Sequence, residues 1–344
     1  MPDLLNSFFR LIEIFEKKQS LCTEAEAESF INLLANPDIS DIKKAALTTA
    51  WKVKGENPPE LFLIVNCLLN LIGRLETGLE IIDCCGTGGD NAQTFNISTT
   101  SAFVAAAAGV KIAKHGGRKT TSASGSIDFL EAIGIPCFSE PAQIKTLLER
   151  TNLVFISSPI MKNVLGSWKS ICKELGFAGQ TGLIGTLTNP VKLNYQIIGV
   201  PKPEWGNLMI ETLQLLKRKK ALVIHGFPCL DEGSLCGLNK IWLLENDKIT
   251  QSEIDPKDLG LNKYYDLSEI QGGNPAQNAQ IFFDFINSKA SPAIEKTILF
   301  NAGLILWLYG KSENALIGFQ QAEEILKSGK LLDFWHSYKK VITS

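Results

Sequence analysis

The chain has 344 residues, enough for one large or two medium domains at roughly 100–200 residues each. Hydrophobic residues make up 45% and charged residues 20%, with a formal net charge of -2, so a sizeable core is available and bulk electrostatic binding to nucleic acid or anionic lipid is disfavoured. The eight cysteines form no C-x-x-C pair and several sit in apolar runs, which predicts reduced thiols rather than a disulfide framework. Met1-Pro2-Asp3-Leu4 lacks the basic region and apolar core of a signal peptide, and no apolar run reaches the about 18 residues of a membrane span. A cytoplasmic protein with no membrane partner is expected.

In chain order, the first 75 or so residues read as helices. Leu4, Leu5, Phe8, Phe9, Leu11, Ile12 and Phe15 recur at helical spacing. Thr23-Glu24-Ala25-Glu26 fits a capping box ahead of Phe30-Ile31-Leu33-Leu34, and Pro37-Asp38 is expected to close that helix. A third helix is predicted through Ile42–Lys52, and Pro58-Pro59 opens a fourth. From Leu79 the pattern alternates strand and helix. Strands are predicted at Leu79–Cys84, Val110–Ala113, Leu153–Ser157, Tyr195–Gly199 and Ala221–His225, which suggests a mostly parallel sheet. A hairpin is expected around Glu245-Asn246-Asp247-Lys248, and the chain is again helical from Pro275. The run Lys217-Arg218-Lys219-Lys220 reads as a solvated helix end.

Three constellations fall at predicted C-terminal strand ends, where open α/β sheets bind ligands. The first is Asp83-Cys84-Cys85-Gly86-Thr87-Gly88-Gly89-Asp90 with the hydroxyls of Thr94, Ser98 and Thr99. A glycine turn that leads from a strand into a helix N-terminus presents N–H groups to a phosphorylated anion. It is neither a Walker lysine loop nor a dinucleotide fingerprint. The second is the basic loop Lys114-His115-Gly116-Gly117-Arg118, followed by Thr120-Thr121-Ser122-Ala123-Ser124-Gly125-Ser126. The third is the carboxylate pair Asp231-Glu232, whose hard oxygens suit Mg²⁺ on a phosphorylated substrate. His115 and His225 read as structural hydrogen-bonding groups, and no nucleophilic triad or zinc spacing is present.

These residues resemble the anthranilate phosphoribosyltransferase family, which joins anthranilate to phosphoribosyl pyrophosphate in tryptophan biosynthesis. The motifs that carry the resemblance are Gly86-Thr87-Gly88-Gly89-Asp90, Thr94-Phe95-Asn96-Ile97-Ser98-Thr99, Lys114-His115-Gly116 and Ser124-Gly125-Ser126 with Asp128. Further along stand Leu130-Glu131-Ala132, Leu187-Thr188-Asn189-Pro190, His225-Gly226 with Leu230-Asp231-Glu232, Gly272-Gly273 and Asn278-Ala279. The resemblance implies an α/β fold of the nucleoside phosphorylase/phosphoribosyltransferase kind. A small N-terminal helical domain (1–75, with a helical insertion near 162–190) would join a larger α/β domain (76–344) with a mostly parallel sheet. The active site would lie in the cleft, and the homodimer would form through the helical domains. It further implies that Gly86, Gly89, Asp90, Thr94, Asn96, Ile97, Ser98, Thr99, Lys114, His115, Gly116, Gly117, Ser122 and Ser126 bind substrate, with Gly86, Gly89, Asp90, Thr94, Asn96, Ser98, Thr99, Lys114 and Ser126 on the phosphoribosyl pyrophosphate. Ser98, Asp231 and Glu232 would hold two Mg²⁺ ions, and no residue is assigned as an acid or base.

Departures from the family's pattern fall on the acceptor side. Gly117 stands where the family has Asn, and Ser157-Ser158 precede Pro159-Ile160-Met161-Lys162 where it has His. The arginine that contacts anthranilate is missing, since 159–180 contains none. Alignment from Leu175-Gly176 puts Cys172 in its place, and alignment from Met161-Lys162 puts Trp168 there. Lys162, Lys169 or Lys173 could supply a point charge but not a bidentate fork. Two other readings therefore stand beside the first: a different aromatic amine or nitrogen heterocycle as acceptor, and a non-catalytic, nucleic-acid-binding paralogue. The intact carboxylate pair and the near-neutral charge weigh against the latter.

Overall fold

The computed structural model describes residues 2–117, 124–157 and 159–343, with the side chains of 2, 3, 159–163, 165 and 178 excepted. The chain opens with helices α1 (Pro2–Glu16), α2 (Glu24–Ala35), α3 (Asp41–Lys54) and α4 (Pro58–Ile72). The predicted capping box at the start of α2 is formed: the Glu26 N–H donates to the Thr23 hydroxyl, and the Thr23 N–H donates to the Glu26 carboxylate. That helix stops at Ala35, ahead of the expected Pro37-Asp38, because the Asn36 backbone is extended and its N–H closes the last turn on Asn32.

Next come β1 (Ile82–Gly86), α5 (Ile97–Ala107), β2 (Ile112–His115), α6 (Ser126–Ala132), α7 (Pro141–Thr151) and β3 (Leu153–Ile156). Helices α8 (Pro159–Glu174) and α9 (Ala178–Leu187) then precede β4 (Tyr195–Gly199), α10 (Trp205–Leu215), β5 (Lys220–His225), β6 (Asn239–Glu245) and β7 (Lys248–Ile254). The last quarter is α11 (Pro275–Ile286), α12 (Pro292–Tyr309), α13 (Ala315–Lys327) and α14 (Lys330–Ile342).

The seven strands form one sheet in the order β3-β2-β1-β4-β5-β6-β7, with β1 to β5 parallel and β6 and β7 antiparallel. Strands β3, β4 and β5 are buried along nearly their whole length, which is why they read as unbroken apolar runs. The expected hairpin turns through Asn246 and Asp247 at φ 51° and 60°, the left-handed pair that a two-residue connection needs to match the twist of its strands. Strand β1 starts three residues later than predicted and ends two later. The Ile81 N–H is taken by the Asn194 side chain, whereas Gly86 still pairs with Gly199. Strand β2 is likewise displaced toward its C-terminal end, so Lys114 and His115 are strand residues rather than loop residues.

Two main apolar bodies result. One packs α5, α11, α12, α13 and α14 on one face of the sheet. The other gathers residues of α1 to α4 around Val164, Trp168 and Cys172 of α8 and Ile184 of α9. At its centre Phe30, Trp51 and Trp168 meet with ring centroids 5.4–6.0 Å apart. No helix is long and apolar enough to cross a membrane, among the described residues.

Candidate active site

The sheet reverses its direction of growth between β1 and β4, so the crevice for a ligand is expected at the C-terminal ends of those two strands. Their last residues, Gly86 and Gly199, are register partners, and the segment that carries Asp231 lies directly over both. A Cβ on Gly86 would stand 2.1 Å from Asp231 Oδ2, and one on Gly199 would stand 1.6 Å from the Asp231 carbonyl oxygen. Both positions therefore need glycine for backbone approach, and that approach brings a residue of the β5–β6 connection to the glycine loop. The Gly88 N–H donates to Asp231 Oδ2 at 2.6 Å, and the Thr87 N–H donates to the Gly199 carbonyl at 3.0 Å.

Helix α5 starts just beyond the loop, with no side-chain cap from Asn96, and the Ser98 N–H of its first turn donates to Glu232 Oε1 at 3.3 Å. The helix N-terminus thus faces a carboxylate, in the position an anion occupies in such sites. Lys114, only 3% exposed, donates to the Cys84 carbonyl and, at 3.1 Å, to the Ser98 hydroxyl. That burial makes Lys114 an interior cation rather than a solvent-exposed one.

The electrostatics of the cluster are those of crowded like charges. Burial pushes the Asp231 carboxyl well above its ordinary range, and Asp90 and Glu232 push it further. Glu232 is raised to about 7 by burial, with Lys114 and Ser98 opposing and Asp90 reinforcing the rise. Among the described residues no three side chains already stand as a metal cage. The donor set nevertheless fits Mg²⁺: hard carboxylate and hydroxyl oxygens, with a mutual repulsion that a divalent cation removes.

The remaining predicted residues that the structure describes converge on the same end of the sheet. Asp90 Oδ1 accepts the Ala92 N–H, Thr94 bridges to Gln271, and Asn96 Oδ1 accepts from the Asn278 amide at 2.9 Å. Ile97 has its side chain in the core and its N–H on the Phe95 carbonyl, while Thr99 is buried in the first turn of α5. Gly116 admits no side chain, since a Cβ would meet the Ser126 Oγ at 2.3 Å, and that hydroxyl donates to the Gly117 carbonyl. His115 is lowered to about 4 by burial and by Lys114, against a bond its ring donates to the Gly185 carbonyl, so it is a neutral, structural imidazole. His225 likewise bonds the Val200 carbonyl. Ser122, with Arg118, Thr120, Thr121 and Ala123, lies outside the described residues.

Four residues support the site: Asp83, Asn189 and Asn278 stood in the quoted motifs without a site role, and Asn301 was missed. Asp83, fully buried, accepts from Asn189 at 2.9 Å, and Asn189 also donates to the Ala113 carbonyl and accepts the Val191 N–H, pinning the end of α9 to the sheet. Asn278 accepts the Gly273 N–H while holding Asn96. Asn301 bonds both the N–H and the carbonyl of Gly233, beside the carboxylate pair. A lone Asn inside the apolar run Ile298–Leu306 was the available signal.

On the acceptor side, both residues aligned with the missing arginine are buried in the helical core. Trp168 is buried and donates to the Thr48 hydroxyl at 2.9 Å, and Cys172 lies in the same helical core. Lys173 is exposed, Lys169 is part-buried with its pKa lowered by that burial, and Lys162 is outside the described side chains.

Comparison with known proteins agrees with this geometry. Residues 78–332 match the family model described as glycosyl transferase family, a/b domain. The anthranilate phosphoribosyltransferase of Bacillus cereus is 40% identical over 329 residues, covering 95% of each chain. That of Bacillus mycoides is 39% identical over 330 residues, again 95% of each. The crystal structure of anthranilate phosphoribosyltransferase from Thermus thermophilus superposes with a TM-score of 0.86 at 29% identity, covering 97% of this chain and 99% of that one. The Saccharomyces cerevisiae enzyme in complex with PRPP and Mg has the same fold, with a TM-score of 0.86 at 24% identity, covering 100% of this chain and 98% of that one. A glycine turn at the sheet's switch point, on a chain this similar over 95% of its length, places the protein in the anthranilate phosphoribosyltransferase family, as a phosphoribosyltransferase enzyme.

Proposed function

We propose that the protein transfers the phosphoribosyl group of phosphoribosyl pyrophosphate to anthranilate, with Mg²⁺, as a step of tryptophan biosynthesis in the cytoplasm. The observation that carries this reading is the packing of Asp90, Asp231 and Glu232 against the α5 N-terminus and the buried Lys114. In the reaction the amine nitrogen forms a bond to ribose C1, the C1–O bond to pyrophosphate breaks, and the amine proton passes to solvent. An aromatic amine is already unprotonated at neutral pH, so the demand falls on neutralising the leaving pyrophosphate. Gly86, Gly89, Asp90, Thr94, Asn96, Ser98, Thr99, Lys114 and Ser126 form the donor cradle, with Ile97, His115, Gly116 and Gly117 shaping the substrate pocket around it. Ser98, Asp231 and Glu232 would hold two Mg²⁺ ions, which when bound supply positive charge to the pyrophosphate oxygens.

Anthranilate is fluorescent, and its signal is expected to fall on mixing with phosphoribosyl pyrophosphate, Mg²⁺ and enzyme. A second reading, another aromatic amine or nitrogen heterocycle as acceptor, draws support from Trp168 and Cys172 being turned into the helical core. Constant fluorescence, with pyrophosphate released when such acceptors are supplied, would establish it. The division into a helical unit (1–75 with 162–190) and an α/β unit (76–344) is supported by the shared apolar cluster of α1 to α4 with α8 and α9. A homodimer through the helical unit is supported by its exposed Phe9, Ile42, Val53 and Leu71, and sedimentation would test it.

A further inference from the structure

The turn between α3 and α4 is held from every side. Lys54, the last residue of α3, forms a buried ion pair with Glu60, which also accepts from the Trp51 indole and the Leu21 N–H. Asn57 caps α4 by accepting the Glu60 N–H. Between them sits Glu56, whose side chain is 7% exposed and accepts from the amide of Gln180 on α9, with Lys52 at 3.4 Å as its second partner. Gln180 is 1% exposed, and its other side-chain atom, Oε1, has no partner among the described residues. The amide is thus anchored through Glu56, by a hydrogen bond to a charged acceptor out of water, which is the strong kind.

The adjacent face of α9 lies on the glycine loop. A Cβ on Gly182 would stand 1.9 Å from the Thr87 carbonyl oxygen, and one on Gly89 would be 3.8 Å from the Gly179 Cα. The far end of α9 is pinned to the sheet through Asn189 and Asp83. Its near end carries the Glu56 contact, which crosses 124 residues of sequence.

We propose that Glu56 is a positioning residue: through Gln180 it seats α9 on Thr87–Gly89, so the helical unit sets the geometry of the phosphate-binding turn. The inference rests on reading that turn as the donor site, and its first test is independent of turnover. In Glu56→Ala, hydrogen–deuterium exchange is expected to rise about tenfold in α9 and also in the 87–90 segment, with which Glu56 shares no hydrogen bond or ion pair among the described residues. Gln180→Ala should reproduce the effect and the double variant should add nothing further. Glu56→Gln, which still offers an acceptor, should restore protection, and it guards against a variant that merely misfolds. Calorimetry with Mg²⁺ and phosphoribosyl pyrophosphate should show weakened binding in Glu56→Ala and Gln180→Ala but not in Glu56→Gln. Unchanged exchange at 87–90 in a folded Glu56→Ala protein would overturn the inference. Failure of the wild type to bind the donor would instead overturn the assignment of the site.

Discussion

Asp231 and Glu232 show how one position serves both structure and chemistry. Their carboxylates accept N–H groups from Gly88 and Ser98, and they repel each other and Asp90 at the same place. Asp231→Asn with Glu232→Gln keeps an acceptor oxygen at each position and removes both charges. Turnover is expected to be lost while the far-ultraviolet circular dichroism is unchanged, and near-normal turnover would remove this pair from Mg²⁺ placement. Asp83 lies near this cluster, raised to about 6 by burial against the opposing pull of Lys114 and its bond from Asn189. A raised carboxylate binds its proton more tightly folded than unfolded, so its contribution to stability falls as pH rises from about 4 to about 6. Asp83→Asn retains an acceptor for Asn189 and lacks the titration. Relative to wild type the variant should gain on the order of 2 kcal/mol between pH 4 and pH 7, read from denaturant unfolding. The opposite contribution of His115, lowered to about 4, is common to both proteins and cancels.

At the scale of elements, α8 and α9 join the helical core to the sheet. Trp168 fills that core against Phe30 and Trp51 and bonds Thr48 through its indole nitrogen. Trp168→Ala should cost about 3–5 kcal/mol, from lost transfer energy and the cavity left behind, measured by urea unfolding. For α9 the constraint is steric. Gly182→Ala would drive a methyl group into the Thr87 carbonyl, so the helix must lift from the loop, and a several-fold loss of donor affinity is expected with little change in α1 to α4. Helix starts were legible in the sequence because capping is local: Thr23 and Glu26 act across one turn. The strand shifts in β1 and β2 were not legible, because Asn194 and Gly199, more than a hundred residues away, decide where β1 pairs.

For the molecule as a whole, the proposed donor site draws on β1, α5, β2, α6 and the β5–β6 connection, so a ligand there would bridge parts that are distant in sequence. Phosphoribosyl pyrophosphate with Mg²⁺ at 100 times its dissociation constant should stabilise the folded state by about 2.7 kcal/mol, seen as a raised thermal midpoint. Mg²⁺ alone should give less. The near-neutral net charge of -2 is distributed so that the cluster of three acids faces one buried lysine, a local field that composition does not reveal.

By itself the sequence determined the fold class, the order of strands and helices, the glycine turn and the placing of Asp231 beside Glu232. Each of these rests on local spacing: alternation of apolar runs, glycine where a turn must be tight, carboxylates side by side. Only the tertiary structure decided what those residues touch. It made Lys114 a buried strand residue instead of a loop cation, placed Asp231 over Gly86 and Gly199, and turned Trp168 and Cys172 into the helical core. The physical reason is that burial and close approach depend on partners far away along the chain, and a sequence window cannot show which side of a helix or strand those partners will cover.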